Sequence, residues 1–290
     1  MKSYLECVPC FIRQTWDVLQ RVTGDQGIQE GVMRNVLWAV SRMDLNDPPP
    51  VMSQYIHQMI RRKTGLIDPY KEIKELSNRV VLSMYDRLKE QIQESADPLE
   101  TALRLAIAGN LIDMGARSHI DAAYIQDAIN RAFVEPLAWN REAFVTEVEQ
   151  AGAILYLADN AGEIVFDRLL IEELPMEKIT VAVRGYPILN DATMDDAREV
   201  GLTEIVRVMD TGAAAPGIVL SDSSESFVQA FEEADLILSK GQGNYETLSD
   251  CEKDIFFILT VKCPVIARDL DCRPGEMIVR KNQHSLASTQ

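Results

Sequence analysis

Apolar residues in the first half of the chain recur every three or four positions. Ile12, Trp16 and Leu19 form one stripe, Met33, Leu37 and Val40 a second, and Met52, Ile56 and Met59 a third, with Ile73, Leu76, Val80, Met84 and Leu88 a fourth. That spacing lines one face of an α-helix, and none of the stripes alternates with the period of two shown by a half-buried strand. Asp68-Pro69 and Asp97-Pro98 each put a capping carboxylate before a proline at a first helical position, and Glu100 completes a box-like pattern with Asp97. Residues 1–150 are expected to form an all-helical N-terminal domain.

After about residue 150 the pattern becomes short apolar runs separated by amphipathic segments. The runs 153–157, 179–183, 204–209, 236–238, 255–261 and 264–267 suit buried parallel strands, and 163–174, 193–200 and 225–233 carry helical spacing between them. Repetition of strand, loop and helix predicts an α/β domain over residues 151–290 with a doubly wound, mostly parallel sheet. Such sheets bind ligands beyond the carboxyl ends of their strands, so polar motifs directly after a strand are the first candidates for chemistry.

Three strand ends carry such motifs. The first runs into Asp159-Asn160-Ala161-Gly162-Glu163, and the second into Arg184-Gly185 and then Asn190-Asp191-Ala192-Thr193. Adjacent tips would bring Asp191 towards Asp159 and Asn160. Two carboxylates and an amide oxygen form a hard, oxygen-only donor set suited to Mg²⁺ or Mn²⁺, although Asp and Asn at helix starts also serve as plain N-caps. The third tip, Lys240-Gly241-Gln242-Gly243-Asn244, places a lysine in a glycine-spaced loop before a helix, where backbone N–H groups and an ammonium suit an anion. It lacks the Walker A pattern, and a tight turn with a surface lysine is the plain alternative. Upstream, Asn110 and Asp113 lie three apart on one helical face among apolar neighbours, bracing helices or reaching a site. Cys7-Val8-Pro9-Cys10 is half of a thiolate metal site, but Cys251, Cys263 and Cys272 supply no second pair.

Composition narrows the functional classes. The 290 residues are 47% apolar, enough for one large or two ordinary domains, and the net charge is −16. Before residue 150 there are 17 basic and 21 acidic side chains, and after it 12 and 24, so the acidity is concentrated in the α/β half. Nucleic acid is an unexpected partner, because its binding requires a basic face and Arg61-Arg62-Lys63 is the main basic cluster. Apolar runs fall far short of the ~20 residues of a membrane span, and Met1-Lys2-Ser3-Tyr4 leads into no signal-peptide core, so no membrane partner and a cytoplasmic location are expected. The outer helix faces offer a surface for a homo-oligomer.

Taken in order, the three strand-tip motifs, Asn110 and Asp113, and the opening cysteine pair resemble the DUF89 family, also called damage-control phosphatase or ARMT1-like, in its compact prokaryotic-type branch. The resemblance covers nearly the whole chain. It implies a helical N-terminal domain on a Rossmann-like α/β domain and a metal-dependent phosphatase acting on small phosphorylated metabolites such as sugar phosphates. It further implies a divalent cation, Mg²⁺, Mn²⁺, Co²⁺ or Ni²⁺, held by Asp159, Asn160 and Asp191. Lys240 matches the family's substrate-phosphate lysine, and Asn110, Asp113 and Glu163 match positions lining the cleft. Catalysis is expected from Asp159, Glu163 and Lys240, with a water nucleophile, and substrate contacts from Asn110, Asp113, Arg184, Gly241, Gly243 and Asn244. A carboxyl methyltransferase using S-adenosylmethionine and a non-catalytic phosphometabolite-binding protein are the competing functions.

Overall fold

The computed structural model describes residues 1–111 and 122–282. The first half holds helices α1 (Val8–Val22), α2 (Gln26–Val40), α3 (Pro49–Thr64), α4 (Lys71–Leu82), α5 (Tyr85–Gln93), α6 (Pro98–Leu111), α7 (Ala122–Val134) and α8 (Arg141–Gln150), with the short strand β1 (Leu137–Trp139) before α8. Then follow β2 (Ile154–Leu157), α9 (Glu163–Glu172), β3 (Ile179–Val183), α10 (Met194–Glu199), β4 (Arg207–Asp210), α11 (Glu225–Glu233), β5 (Leu236–Lys240), α12 (Gln242–Leu248), β6 (Ile255–Thr260), α13 (Pro264–Asp269) and β7 (Met277–Lys281). As the sequence leads one to expect, Asp97 caps α6, its Oδ1 accepting the Glu100 N–H at 3.1 Å.

The seven strands form one sheet in the order β1-β7-β6-β5-β2-β3-β4, every pairing parallel except β6 with β7. Alternation along each strand splits the core between the two faces. Ile154 and Tyr156 pack with α6 to α9 on one side, while Leu155 and Leu157 pack with α11 to α13 on the other. Helices α1 to α3 close around a separate core of Phe11, Val18, Leu19, Val36, Ile56 and Ile60. Helices α5 to α8 share the sheet's core, so residue 150 marks where the main run of strands begins rather than where packing divides.

Three local readings differ from the structure. Residues 264–267 belong to α13, because Pro264 occupies the first helical turn and Cys263 Sγ accepts the Ile266 N–H. Strand β7 escapes a search for apolar runs because it ends in Arg280 and Lys281, and β1, only three residues long, is too short to show periodicity. No helix among the described residues is long and apolar enough to cross a membrane.

Candidate active site

Strand order gathers the three motifs. β2 lies between β3 and β5, with Leu157 level with Ala182 on one side and Ser239 on the other, so the chain beyond β2 emerges beside both neighbours. The connection from β2 runs one way to β3 and later returns to β5 on the opposite side, which makes the β2/β5 edge the switch point of the sheet. Asn160 and Asp191 form an isolated antiparallel bridge, with Ala161 N donating to Asn190 O at 2.8 Å and Ala192 N to Asp159 O at 2.8 Å. On the other flank Gly241 (φ +79°) lies so close to Asp159 that a Cβ there would fall 2.0 Å from Oδ2.

The side chains are tied as tightly as the backbone. Asn160 Nδ2 donates to Asp159 Oδ2 at 2.8 Å and to Glu163 Oε2 at 3.1 Å, so both amide protons are engaged. Arg184 Nε donates to Asp191 Oδ2 at 2.7 Å, and its Nη2 donates to Asn244 Oδ1 at 2.9 Å and lies 3.6 Å from Asp159 Oδ1. Lys240 Nζ donates to Ala106 O, Glu163 Oε1 and Asp167 Oδ1 at 3.0, 2.8 and 2.5 Å.

These charges are buried. Asp159, Glu163, Asp167 and Asp191 are 8%, 0%, 0% and 3% exposed, so four carboxylates gather around Arg184 and Lys240, 2% and 0% exposed, among the described residues. Burial, reinforced by the charges of Glu163 and Asp191, pushes the Asp159 carboxyl well above the usual range, with Arg184 pulling the other way. Burial likewise raises Asp191 against the pull of Arg184, and raises Asp167 to about 6 against that of Lys240. For Lys240, burial favours the neutral amine, but Asp167 and Glu163 outweigh it and hold the ammonium. Hard oxygen donors at this junction fit a divalent cation, which would offset the repulsion from Glu163 and Asp191 that helps raise Asp159. No group of three His, Cys, Asp or Glu side chains among the described residues is arranged around a metal position, and the residues that would hold a cation are Asp159 and Asp191 with the Asn160 amide.

The structure brings Asp159, Asn160, Glu163, Arg184, Asp191, Lys240, Gly241 and Asn244 together, but gives several of them framing roles. All three Lys240 donors are spent inside the protein, so the ammonium stands behind the strand tips rather than in open space, contrary to a direct phosphate contact. Gly241 N–H donates to Ile258 O in the neighbouring strand, and Gly243 is a glycine because a Cβ would fall 1.9 Å from Pro216 O. Asn244 Nδ2 donates to Lys240 O and Ala158 O, which binds the β5 and β2 ends together. Arg184 joins the second tip to the third. Asp113 and the Asn110 side chain lie outside the described residues. Gly109, next to Asn110, sits directly against Glu163, where a Cβ would come within 2.9 Å of Cγ. Among the described residues the five cysteines are free thiols, Cys7 half-buried and Cys10 exposed.

Sequence reasoning missed Asp167, Tyr156 and Asn78. Asp167 left a local signal, since it falls one turn after Glu163 among Ile164, Val165, Phe166 and Leu169, where an acid requires a partner. Asn78 left none. Its Oδ1 accepts the Gly162 N–H at 2.6 Å, and its Nδ2 donates to Asp196 Oδ1 and Glu199 Oε2 at 3.0 and 2.8 Å, joining the turn after β2 to helix α10. Lys74 pairs with the same Asp196 at 3.1 Å. Beside this bridge a cavity of about 770 Å³ opens between residues 65–75 and 187–199, with Leu66, Ile67, Lys71, Lys74, Pro187 and Thr193 in its wall.

Comparison with known proteins agrees with the architecture and assigns the enzyme class. The model of the damage-control phosphatase ARMT1-like domain matches residues 3–278. A damage-control phosphatase of Archaeoglobus fulgidus is 34% identical over 97% of this chain and 99% of its own, and one of Pyrococcus horikoshii is 32% identical over 99% and 100%. The crystal structure of a DUF89 family protein from Pyrococcus horikoshii superposes with a TM-score of 0.89 at 31% identity, over 98% of this chain and all of its own. An α/β phosphatase is thus the class defined here. The chain belongs to the damage-control phosphatase ARMT1-like family, also called DUF89.

Proposed function

We propose that the protein hydrolyses phosphate monoesters of small metabolites, sugar phosphates among them, at the tips of β2, β3 and β5, with a divalent cation held by Asp159, Asn160 and Asp191. The observation that carries this reading is the bridge between Asn160 and Asp191, which brings Asp159, Asn160 and Asp191 to one junction of buried oxygen donors. Hard oxygen donors of this kind suit Mg²⁺, Mn²⁺, Co²⁺ or Ni²⁺. When bound, the cation would supply Lewis-acid neutralisation of phosphate charge and acidify a water molecule. The chain's own residues do the rest. Asn160 presents its amide oxygen because Asp159 and Glu163 hold its nitrogen. To Glu163, one turn from Asp159 and held by Lys240 and Asn160, this reading gives the role of orienting the attacking water and accepting its proton. Arg184 and Lys240 add positive charge from behind the site, where the phosphate is drawn without either cation leaving its carboxylate partners.

The test is turnover of p-nitrophenyl phosphate by chelator-stripped protein, with Mg²⁺, Mn²⁺, Co²⁺ and Ni²⁺ returned singly, beside the Asp159→Ala variant. Hydrolysis is expected only with metal and only with Asp159 in place. Metal-independent turnover of the ester would overturn the reading. Binding of sugar phosphates with no turnover under any metal would instead identify a phosphometabolite-binding protein, and methyl transfer from S-adenosylmethionine without metal would identify a methyltransferase.

A further inference from the structure

Asp167 has no task in the chemistry above, yet it lies fully buried behind the strand tips. Its Oδ1 accepts from Lys240 Nζ at 2.5 Å and from the Tyr156 hydroxyl at 2.8 Å, while Oδ2 has no hydrogen-bond partner among the described residues. An unmatched carboxylate oxygen in the core is costly, and an apolar residue of similar size would serve packing better. The bonds form one continuous series. Tyr156 donates to Asp167, Lys240 to Asp167 and Glu163, and Asn160 to Glu163 and Asp159.

Two carboxylates therefore share one ammonium. With Asp167 neutral, Lys240 would lose one of its two carboxylate partners, and the buried site would carry one negative charge fewer. In a low-dielectric interior the exposed field of the ammonium would then oppose a cation at the strand tips and favour an anion. We infer that Asp167 is a positioning residue: acting through Lys240, it keeps Glu163 and the Asn160 amide in place and cancels the repulsion between the ammonium and a divalent cation at Asp159, Asn160 and Asp191. The inference rests on the cation reading proposed above.

Calorimetric titration of the full chain with Mn²⁺ alone, at pH 8 where Asp167 is ionised, tests it without recourse to turnover. Asp167→Asn keeps the shape and removes the charge, and its Mn²⁺ dissociation constant is expected to rise about tenfold or more. Inorganic phosphate, titrated at saturating Mn²⁺, is expected to bind as well as before or more tightly. A general loss of structure would weaken both ligands together. Removing the ammonium as well, in the double variant Asp167→Asn with Lys240→Met, restores the parent's net charge at the site and is expected to return Mn²⁺ affinity to within about threefold of the parent. Unchanged Mn²⁺ affinity in Asp167→Asn, parallel weakening of Mn²⁺ and phosphate, or no recovery in the double variant would overturn the role of Asp167. If Asp167→Asn fails to fold, Asp167→Ser, which also removes the charge, takes its place. About tenfold weaker Mn²⁺ binding with phosphate binding kept supports the inference, and unchanged Mn²⁺ binding overturns it. No Mn²⁺ binding by the parent protein would overturn the cation reading and this inference with it, whereas parent binding with an unaffected variant overturns only the latter.

Discussion

At Gly241 the absence of a single carbon holds the site together. Its positive φ suits glycine, and its bare Cα lets the Asp159 carboxylate rest against the loop after β5, where a Cβ would overlap Oδ2. Gly241→Ala is expected to lose stability by about 1 kcal/mol or more from backbone strain and to lower kcat about a hundredfold by displacing Asp159. Steady-state kinetics and chemical denaturation of the same preparation measure the two effects separately. Glu246 on α12 shows a different residue-scale effect. Burial raises its carboxyl from 4.5 to about 7, although Gln242 and the N-terminal ammonium pull the other way. Because the folded form holds its proton more tightly than the unfolded form, the associated stability is fully present below about pH 4.5 and is lost as pH rises through about 7. Glu246→Gln is therefore expected to match the parent in thermal midpoint at pH 5 and exceed it at pH 8. The gain at pH 8 is expected to be on the order of 1–3 kcal/mol, read as the difference between the two midpoint-against-pH curves.

Between elements, the decisive contact is the bridge from α4 to the two loops that carry the aspartates. Asn78 accepts from the turn after β2 and donates to two carboxylates of α10, which follows the Asn190-Asp191 turn, so the separation of Asp159 and Asp191 depends on a helix from the other half of the chain. Asn78→Ala leaves the buried Gly162 N–H without its acceptor and is expected to cost about 1–3 kcal/mol in urea denaturation. Asn78→Asp keeps that acceptor but faces Asp196 and Glu199 with a like charge. It is expected to be at least as unstable as Asn78→Ala, and to improve relative to it below pH 4 as the carboxylates protonate. Most elements were legible locally, since period 3.6 marks α1 to α3, Asp97-Pro98 marks the start of α6 and short apolar runs mark β2, β3, β5 and β6, whereas the single stripe from Ile73 to Leu88 hides the break between α4 and α5. The failures have local reasons as well. Residues 264–267 are apolar enough for a strand, but Cys263 and Pro264 start a helix, and β7 hides behind Arg280 and Lys281.

For the whole molecule, strand order converts three separate motifs into one site. The apolar runs established that strands exist and that polar residues follow them, because burial on both faces of a parallel sheet demands continuous hydrophobicity and leaves polar groups to the tips. From local patterning alone came the α/β class, the helical first half and the identity of Asp159, Asn160, Glu163 and Asp191 as tip residues. Their adjacency required knowing that β2 lies between β3 and β5, a matter of long-range pairing that no local period records. The direction of Lys240 was likewise beyond reach. A lysine after a strand suits a surface anion equally well, and only the packing of α6 and α9 against the sheet encloses its ammonium between Glu163, Asp167 and Ala106. Residue chemistry is carried by the chain itself, whereas the partner each charge finds is set by which elements meet, because electrostatic and hydrogen-bond energies depend on distances that only tertiary packing defines.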